Sequence, residues 1–231
     1  MSKIYDNYHK RKVWNISKTK ERYREFENEF SFLTKEKKLK IFEIGCGDGA
    51  LMKWFKDQDH EVSGVDINQF SIDNLISEGF NVKKANILNN LQYINDKYDL
   101  IICMDVLEHF RYEELNKLFA YFSKSLKSTS LIYVRVPNSQ SPLGAYYQFG
   151  DPTHRSFLSL TALEYFSESH NLSIKIAKNS YISRRGFKGE LAHLFRKAVL
   201  FTIQNFLSLI FYGKKTLLAP NISVVIENNK K

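Results

Sequence analysis

Cysteine is close to absent from this chain. Its 231 residues include only Cys46 and Cys103, both in apolar, strand-like contexts. A disulfide scaffold or a thiolate zinc site needs more ligands at tighter spacing, so reduced thiols in a cytoplasmic protein are expected. The opening stretch MSKIYDNYHKRK lacks the apolar core of a secretory signal. No segment gives a clear membrane span: the apolar stretch 198–212 is short and is broken by Thr202, Gln204, Asn205 and Ser208. Internal repeats and low-complexity tracts are missing too. Disorder is excluded from the other side, because 43% of the residues are apolar, enough to build a core.

Acidic residues are also fewer than basic ones, and unevenly placed. The net charge is +9, with 12 Lys/Arg against 6 Asp/Glu in residues 1–40 and 9 against 2 in residues 183–231. The centre is slightly acidic. Basic ends around such a centre suit an anionic neighbour: a phosphorylated or lipid-linked substrate, a nucleic acid or an acidic membrane. A solvated lysine-rich surface gives the same count.

Hydrophobic periodicity alternates strands and helices from residue 39 to 180. The strands are KIFEIG (40–45), EVSGVDI (61–67), NVKKANI (81–87), YDLIICMD (98–105), SLIYVRVPN (130–138), LSIKIAK (172–178) and ISVVIEN (222–228). Helices are expected at 49–57, after Asn68 as N-cap and up to Gly79, at 112–127, and after a Thr161/Glu164 capping box. The pattern predicts an α/β, doubly wound, seven-stranded and mainly parallel sheet. It reads as one domain: a helical N-terminal cap (1–38), a core (39–180), a helical insertion (183–219), and a last strand with tail (220–231).

The stretch KIFEIGCGDGALMKWF joins a strand to a helix through Gly45, Gly47 and Gly49. The spacing is G-x-G-x-G rather than the dinucleotide G-x-G-x-x-G, and Glu43 lies two residues before the first glycine. A carboxylate beside a closely approaching backbone suits a cationic nucleoside better than a pyrophosphate. Asp66 ends the second strand, where a carboxylate can accept both ribose hydroxyls.

FEIGCGDG, GVDI, YDLIICMDVLEHF and VRVPN follow one another in the order and spacing of the class I S-adenosylmethionine-dependent methyltransferases, which this sequence resembles over residues 41–180. The resemblance implies a Rossmann-like sheet with a final antiparallel strand, S-adenosylmethionine as cofactor and S-adenosylhomocysteine as product. It implies that Glu43, Gly45, Gly47 and Asp48 line the methionine end and that Asp66 holds the ribose. Ile67 would lie against the adenine, Asn86 and Ile87 at its edge, and Cys103 and Met104 beneath the sulfonium. Many relatives have an acid where Asn86 stands.

Asp105, Glu108 and His109 follow the fourth strand at the carboxyl edge, where ligands bind. If a helical turn starts there, the three fall at i, i+3 and i+4 on one face. They are expected either to hold a divalent metal, oxygen-rich ligands favouring magnesium, or to include His109 as a general base. Hydrogen bonds that orient the loop are a third reading. Acid-x-x-Glu-His here resembles the ubiquinone-biosynthesis O-methyltransferases. A second candidate is QFGDPTHRSFLS (148–159), which closes a long connection. It brings Asp151, His154 and Arg155, with Tyr146, Tyr147 and Phe149 as aromatic surface, and His154 is expected near the methyl group. DPTHRSF after VPN resembles methyltransferases of bacterial surface polysaccharide.

In the cap, Asp6, Tyr8 and Trp14, with Tyr5 and His9 nearby, are expected to shape the substrate pocket. In the insertion, Arg184, Arg185 and Lys188 precede the apolar stretch and Lys214 and Lys215 follow it. That arrangement fits a membrane interface across 184–215, at the inner face, as well as packing on the sheet, over the substrate or against a second subunit. The expected activity is O-methylation of a sugar or glycan intermediate of cell-surface polysaccharide; the alternative is a polyprenyl phenol or quinol. A nucleic-acid substrate is disfavoured, because the Asn/Asp-Pro-Pro-aromatic motif for a flipped base and a Pro-Cys pair are both missing.

Overall fold

A computed structural model describes residues 19–33, 37–95, 97–180, 186–207, 209–210, 213 and 216–229. Tyr5, Asp6, Tyr8, His9, Trp14, Arg184, Arg185, Lys214 and Lys215 lie outside the described residues.

Seven strands form one sheet: β1 (Lys40–Ile44), β2 (Glu61–Asp66), β3 (Asn81–Lys84), β4 (Leu100–Met104), β5 (Leu131–Pro137), β6 (Leu172–Asn179) and β7 (Asn221–Asn228). Their order is β3-β2-β1-β4-β5-β7-β6. The first five pair in parallel, and β7 runs antiparallel to both neighbours. The helices are α1 (Thr19–Glu29), α2 (Ala50–Lys56), α3 (Gln69–Ser77), α4 (Tyr112–Ser125), α5 (Ala145–Gly150), α6 (Leu160–Glu168) and α7 (Gly186–Leu207).

The two buried cores explain the strand sequences. Ile41, Ile102 and Tyr133 face one side, against Phe26 of α1, Phe30 just past it and Trp54 of α2. Phe42, Ile101, Ile132 and Val134 face the other, against Leu115, Phe119 and Phe122 of α4. A strand buried on both faces reads as a continuous apolar run, as LIIC does in β4. Asn68 caps α3 by accepting the Ser71 amide at 3.0 Å, and Gly79 follows that helix at φ +78°. The expected Thr161/Glu164 capping box does not form. Ser159 caps α6 by accepting the Ala162 amide at 3.1 Å, and Thr161 instead pairs with Gln140.

Buried charge fastens α1 to the sheet. Glu29, fully buried, accepts hydrogen bonds from Tyr133 of β5 at 3.0 Å and from Ser180, just past β6, at 2.5 Å. Lys178 of β6 donates to the carbonyls of Asn28 and Glu29. A carboxylate taken fully out of water is tolerated only when paired in this way. Helix α1 is thereby held beside the carboxyl edge, where β1 and β4 end.

Candidate functional site

The glycine loop bends in the left-handed region at Gly45 (φ +76°), Gly47 (φ +52°) and Gly49 (φ +68°). At Gly45 a side chain is excluded twice over, because an added Cβ would sit 2.4 Å from Val106 Cγ2 in the loop after β4. Asp66 organises the turn: its two carboxylate oxygens accept the amides of Gly47 and Asn68, each at 2.8 Å.

Three carboxylates gather here. Glu43 is buried, and its Oε2 has no hydrogen-bond partner among the described residues. Burial pushes its carboxyl well above the usual range, and the negative charges of Asp48 and Asp66 add to this. Arg22 of α1 supplies a counter-charge by gripping Asp48 through both terminal nitrogens, one at 3.0 Å from Oδ1. An unpartnered buried carboxyl beside a loop whose backbone is bare at Gly45, Gly47 and Gly49 fits a ligand that brings hydrogen-bond donors or positive charge. Ile67, 46% exposed beside Asp66, offers an apolar surface at the same edge. The Asn86 side-chain oxygen already accepts the Leu88 amide at 3.0 Å, and Ile87 is buried. Cys103 requires a correction: its side chain is fully buried in the core with Ile44 and Val134, so it is not a lining group. Met104 is partly buried against the core on the α1 side of the sheet.

The second cluster joins the loop after β4 to the loop after α5. The Glu108 carbonyl accepts the amides of Arg155 (2.8 Å) and Ser156 (3.2 Å). One ligand atom each from Glu108, His109 and His154 lies within 4.8 Å of the other two, and the two imidazole rings meet edge to face with centroids 4.9 Å apart. Both tautomers follow from the partners. The Gln148 carbonyl can only accept, so the His154 Nδ1 at 2.9 Å carries the proton. Thr153 gives its one hydroxyl proton to Asp151 at 2.5 Å, so its oxygen, 3.0 Å from His109 Nδ1, accepts from that nitrogen. Each neutral imidazole therefore has its lone pair on Nε2. His154 Nε2 stands 3.9 Å from Glu108 Oε1 and 4.0 Å from Asp151 Oδ2. Burial raises the Glu108 carboxyl well above its usual range, with the Asp105 charge adding to it. Its Oε2 has no hydrogen-bond partner among the described residues. Asp151 is opposite: hydrogen bonds from Thr153 outweigh its partial burial and hold it below the usual range.

Asp105 does not belong to this cluster, which corrects the expected Asp105/Glu108/His109 set. It leaves β4 at φ +56°, and the tight turn begins only at Leu107–His109, so no common i, i+3, i+4 face exists. The Asp105 carboxylate turns to Arg135 of β5, whose guanidinium also reaches Glu25 of α1. The gathered donors are two imidazoles and one carboxylate, a set suited to zinc, manganese or iron(II) more than to magnesium. Arg135 and Thr153 were not among the expected residues. Arg135 left a signal, a lone charge inside the apolar strand LIYVRVP. Arg22 left none among so many basic residues.

A mainly parallel seven-stranded sheet of this order, with a glycine loop closing β1 and a carboxylate closing β2, is the class I methyltransferase fold. Residues 16–175 match the family described as "Methyltransferase domain", and the chain belongs to that family. A ubiquinone biosynthesis O-methyltransferase from Bartonella tribocorum is 28% identical over 155 residues, 59% of this chain and 61% of the relative. One from Rickettsia bellii is 27% identical over 104 residues, 43% of this chain. The chain thus spans 42–61% of the length of these curated relatives. Among solved structures, a SAM-dependent methyltransferase from Archaeoglobus fulgidus superposes with TM-score 0.64 at 19% identity, covering 94% of this chain and all of that one. The plantazolicin methyltransferase BpumL in complex with SAH superposes with TM-score 0.60 at 20% identity, covering 98% and 90%.

Proposed function

We propose that the chain uses S-adenosylmethionine to methylate a hydroxyl oxygen, and that the acceptor is a phenol or quinol carrying a polyprenyl chain. The observation that carries the reaction is the Glu108–His109–His154 cluster, its carboxylate buried and its two imidazoles half-buried, with the lone pair of each ring on Nε2. The acceptor class is supported by the names of the relatives, ubiquinone biosynthesis O-methyltransferases, and by the exposed aromatic rim of α5, with Tyr146 81% and Phe149 71% exposed.

The cofactor supplies an electrophilic methyl group on a sulfonium. Asp66 would accept from the ribose, Ile67 would cover the purine and Asn86–Ile87 would border its edge. Glu43, Asp48 and Arg22 would hold the charged methionine end. His109 or His154 takes the acceptor's proton at Nε2, with Thr153–Asp151 and the Gln148 carbonyl fixing the rings. A divalent ion held by Glu108, His109 and His154 would serve the same end by lowering the hydroxyl pKa. Alignment supplies the rest of the rate. A sugar or glycan acceptor is the second reading, because exposed aromatic faces beside a polar Asp151/His154 loop also suit a sugar ring.

The test is transfer of labelled methyl from S-adenosylmethionine to a short-chain prenylated catechol and, separately, to nucleotide sugars and lipid-linked glycans. Incorporation into the catechol ether supports the first reading. Incorporation into sugar alone replaces it with the second, and label in neither removes both.

A further inference from the structure

Helix α7 turns one polar residue inward and leaves most of its large apolar residues exposed. Its sheet side buries a polar residue: Gln204 is 4% exposed and accepts a hydrogen bond from Asn179 of β6 at 3.1 Å. The same Asn179 accepts the Ala219 amide at 2.9 Å, tying the returning chain to the helix. The outward side carries Leu194, Phe195, Phe201, Ile203 and Phe206, all 45–71% exposed, and Leu209 just beyond is 84% exposed. At 100° per residue these positions share one broad face. Two polar residues lie within it: Thr202, whose hydroxyl donates to the Ala198 carbonyl at 3.0 Å, and the exposed Asn205. A broad, mainly apolar face of this kind marks a surface that meets something other than solvent.

The flanking charge indicates what it meets. The sequence places Arg184, Arg185 and Lys188 before this face, Lys197 at its start, and Lys214 and Lys215 after it, with Glu190 the one acid in 184–215. A second copy packed face to face would set these cations against their equivalents. An anionic bilayer accepts both features, the apolar side chains among its acyl chains and the lysines and arginines among its headgroups. No described helix is long and apolar enough to cross a membrane. Helix α7 lies between β6 and β7, and the ends of that connection sit at the sheet's carboxyl edge, where Asn179 is opposite Ile222 and Pro137 opposite Asn221. That edge also carries the candidate site.

We infer that the outward face of α7 docks on the surface of an anionic lipid bilayer, lying in its plane and presenting the carboxyl edge of the sheet to the membrane. This inference does not depend on the identity of the methyl acceptor.

The test uses the full chain with vesicles of phosphatidylglycerol and phosphatidylcholine, and with phosphatidylcholine alone, read by flotation. Binding to the anionic vesicles is expected, at least tenfold stronger than to the neutral ones. The triple variant Phe195→Glu/Phe201→Glu/Phe206→Glu is expected to lose at least tenfold of that binding while still binding S-adenosylhomocysteine, which reports an intact core. Independently, the indole added by Phe201→Trp should contribute an emission, measured as the difference from the parent, that shifts to the blue on anionic vesicles and is quenched by brominated lipids. Anionic-vesicle binding that survives the triple variant would assign it to the basic termini and overturn the proposal. A difference emission that neither shifts nor quenches, or a triple variant that instead abolishes self-association without any vesicle binding in the parent, would overturn it as well.

Discussion

Arg135 on β5 holds Asp105, the residue leaving β4, with Nε 3.0 Å from Oδ1 and a second contact between the guanidinium and the carboxylate. The remaining nitrogen of the same guanidinium reaches Glu25 on α1. Burial opposes the Arg135 charge, but Asp105 and Glu25 more than compensate and raise its pKa well above the usual arginine value. One side chain thus fixes the strained start of the loop carrying Glu108 and His109, and ties it to the helix that supplies Arg22.

Arg135→Met should therefore cost about 3 kcal/mol of stability, because it leaves two carboxylates facing each other without their cation. Urea denaturation measures it. Arg135→Lys should recover only part of the loss, since an ammonium cannot form the paired contacts. A cost below about 0.5 kcal/mol would reduce the network to a surface ion pair.

Asp66→Ala should remove the side-chain acceptors of two backbone amides, those of Gly47 and Asn68, together with the proposed ribose contact. Stability should fall by about 1–3 kcal/mol, and S-adenosylhomocysteine affinity at least tenfold by calorimetry. Unchanged affinity would show that the end of β2 does not hold the nucleoside.

Gly45→Ala should distort both loops, because φ is +76° and the new methyl group would meet Val106 Cγ2 at 2.4 Å. Expect a loss of about 1–3 kcal/mol. Val106→Ala in the same chain should return the part due to the clash and leave the part due to the backbone. If Val106→Ala returns nothing, the two loops are not packed on each other in solution.

The buried Glu43 gives a pH signature. Its folded pKa is raised, so its contribution to stability is fully present below the ordinary carboxylate range and is lost as pH rises through the folded value. The slope is at most about 1.4 kcal/mol per pH unit. Glu43→Gln should flatten that fall in a pH series of thermal melts. Equal slopes in the two proteins would mean that Glu43 is ionised and paired.

His109→Ala and His154→Ala should each lower turnover by about 10²–10⁴-fold with little change in S-adenosylhomocysteine affinity. If a metal is held, chelation should abolish activity and a divalent ion restore it. If an imidazole acts alone, chelation should leave activity intact. Near-native turnover in both variants would leave the cluster a loop brace, with the acceptor activated elsewhere.

The sheet and its cofactor end were legible in the sequence because they depend on local chemistry. Apolar runs of strand length, a glycine triplet whose dihedrals few other residues adopt, and Asn68 beside its helix all act within a few residues. What sequence spacing could not decide was which charged groups meet across the fold. Asp105 and Glu108 are three residues apart, yet one turns to Arg135, 30 residues on, and the other toward His154. The left-handed backbone at Asp105 and the packing of β4 beside β5 send them apart. The inward turn of Gln204 on α7 was hidden for the same reason: periodicity places a polar residue outside, and here Asn179 on β6 holds it inside by a hydrogen bond.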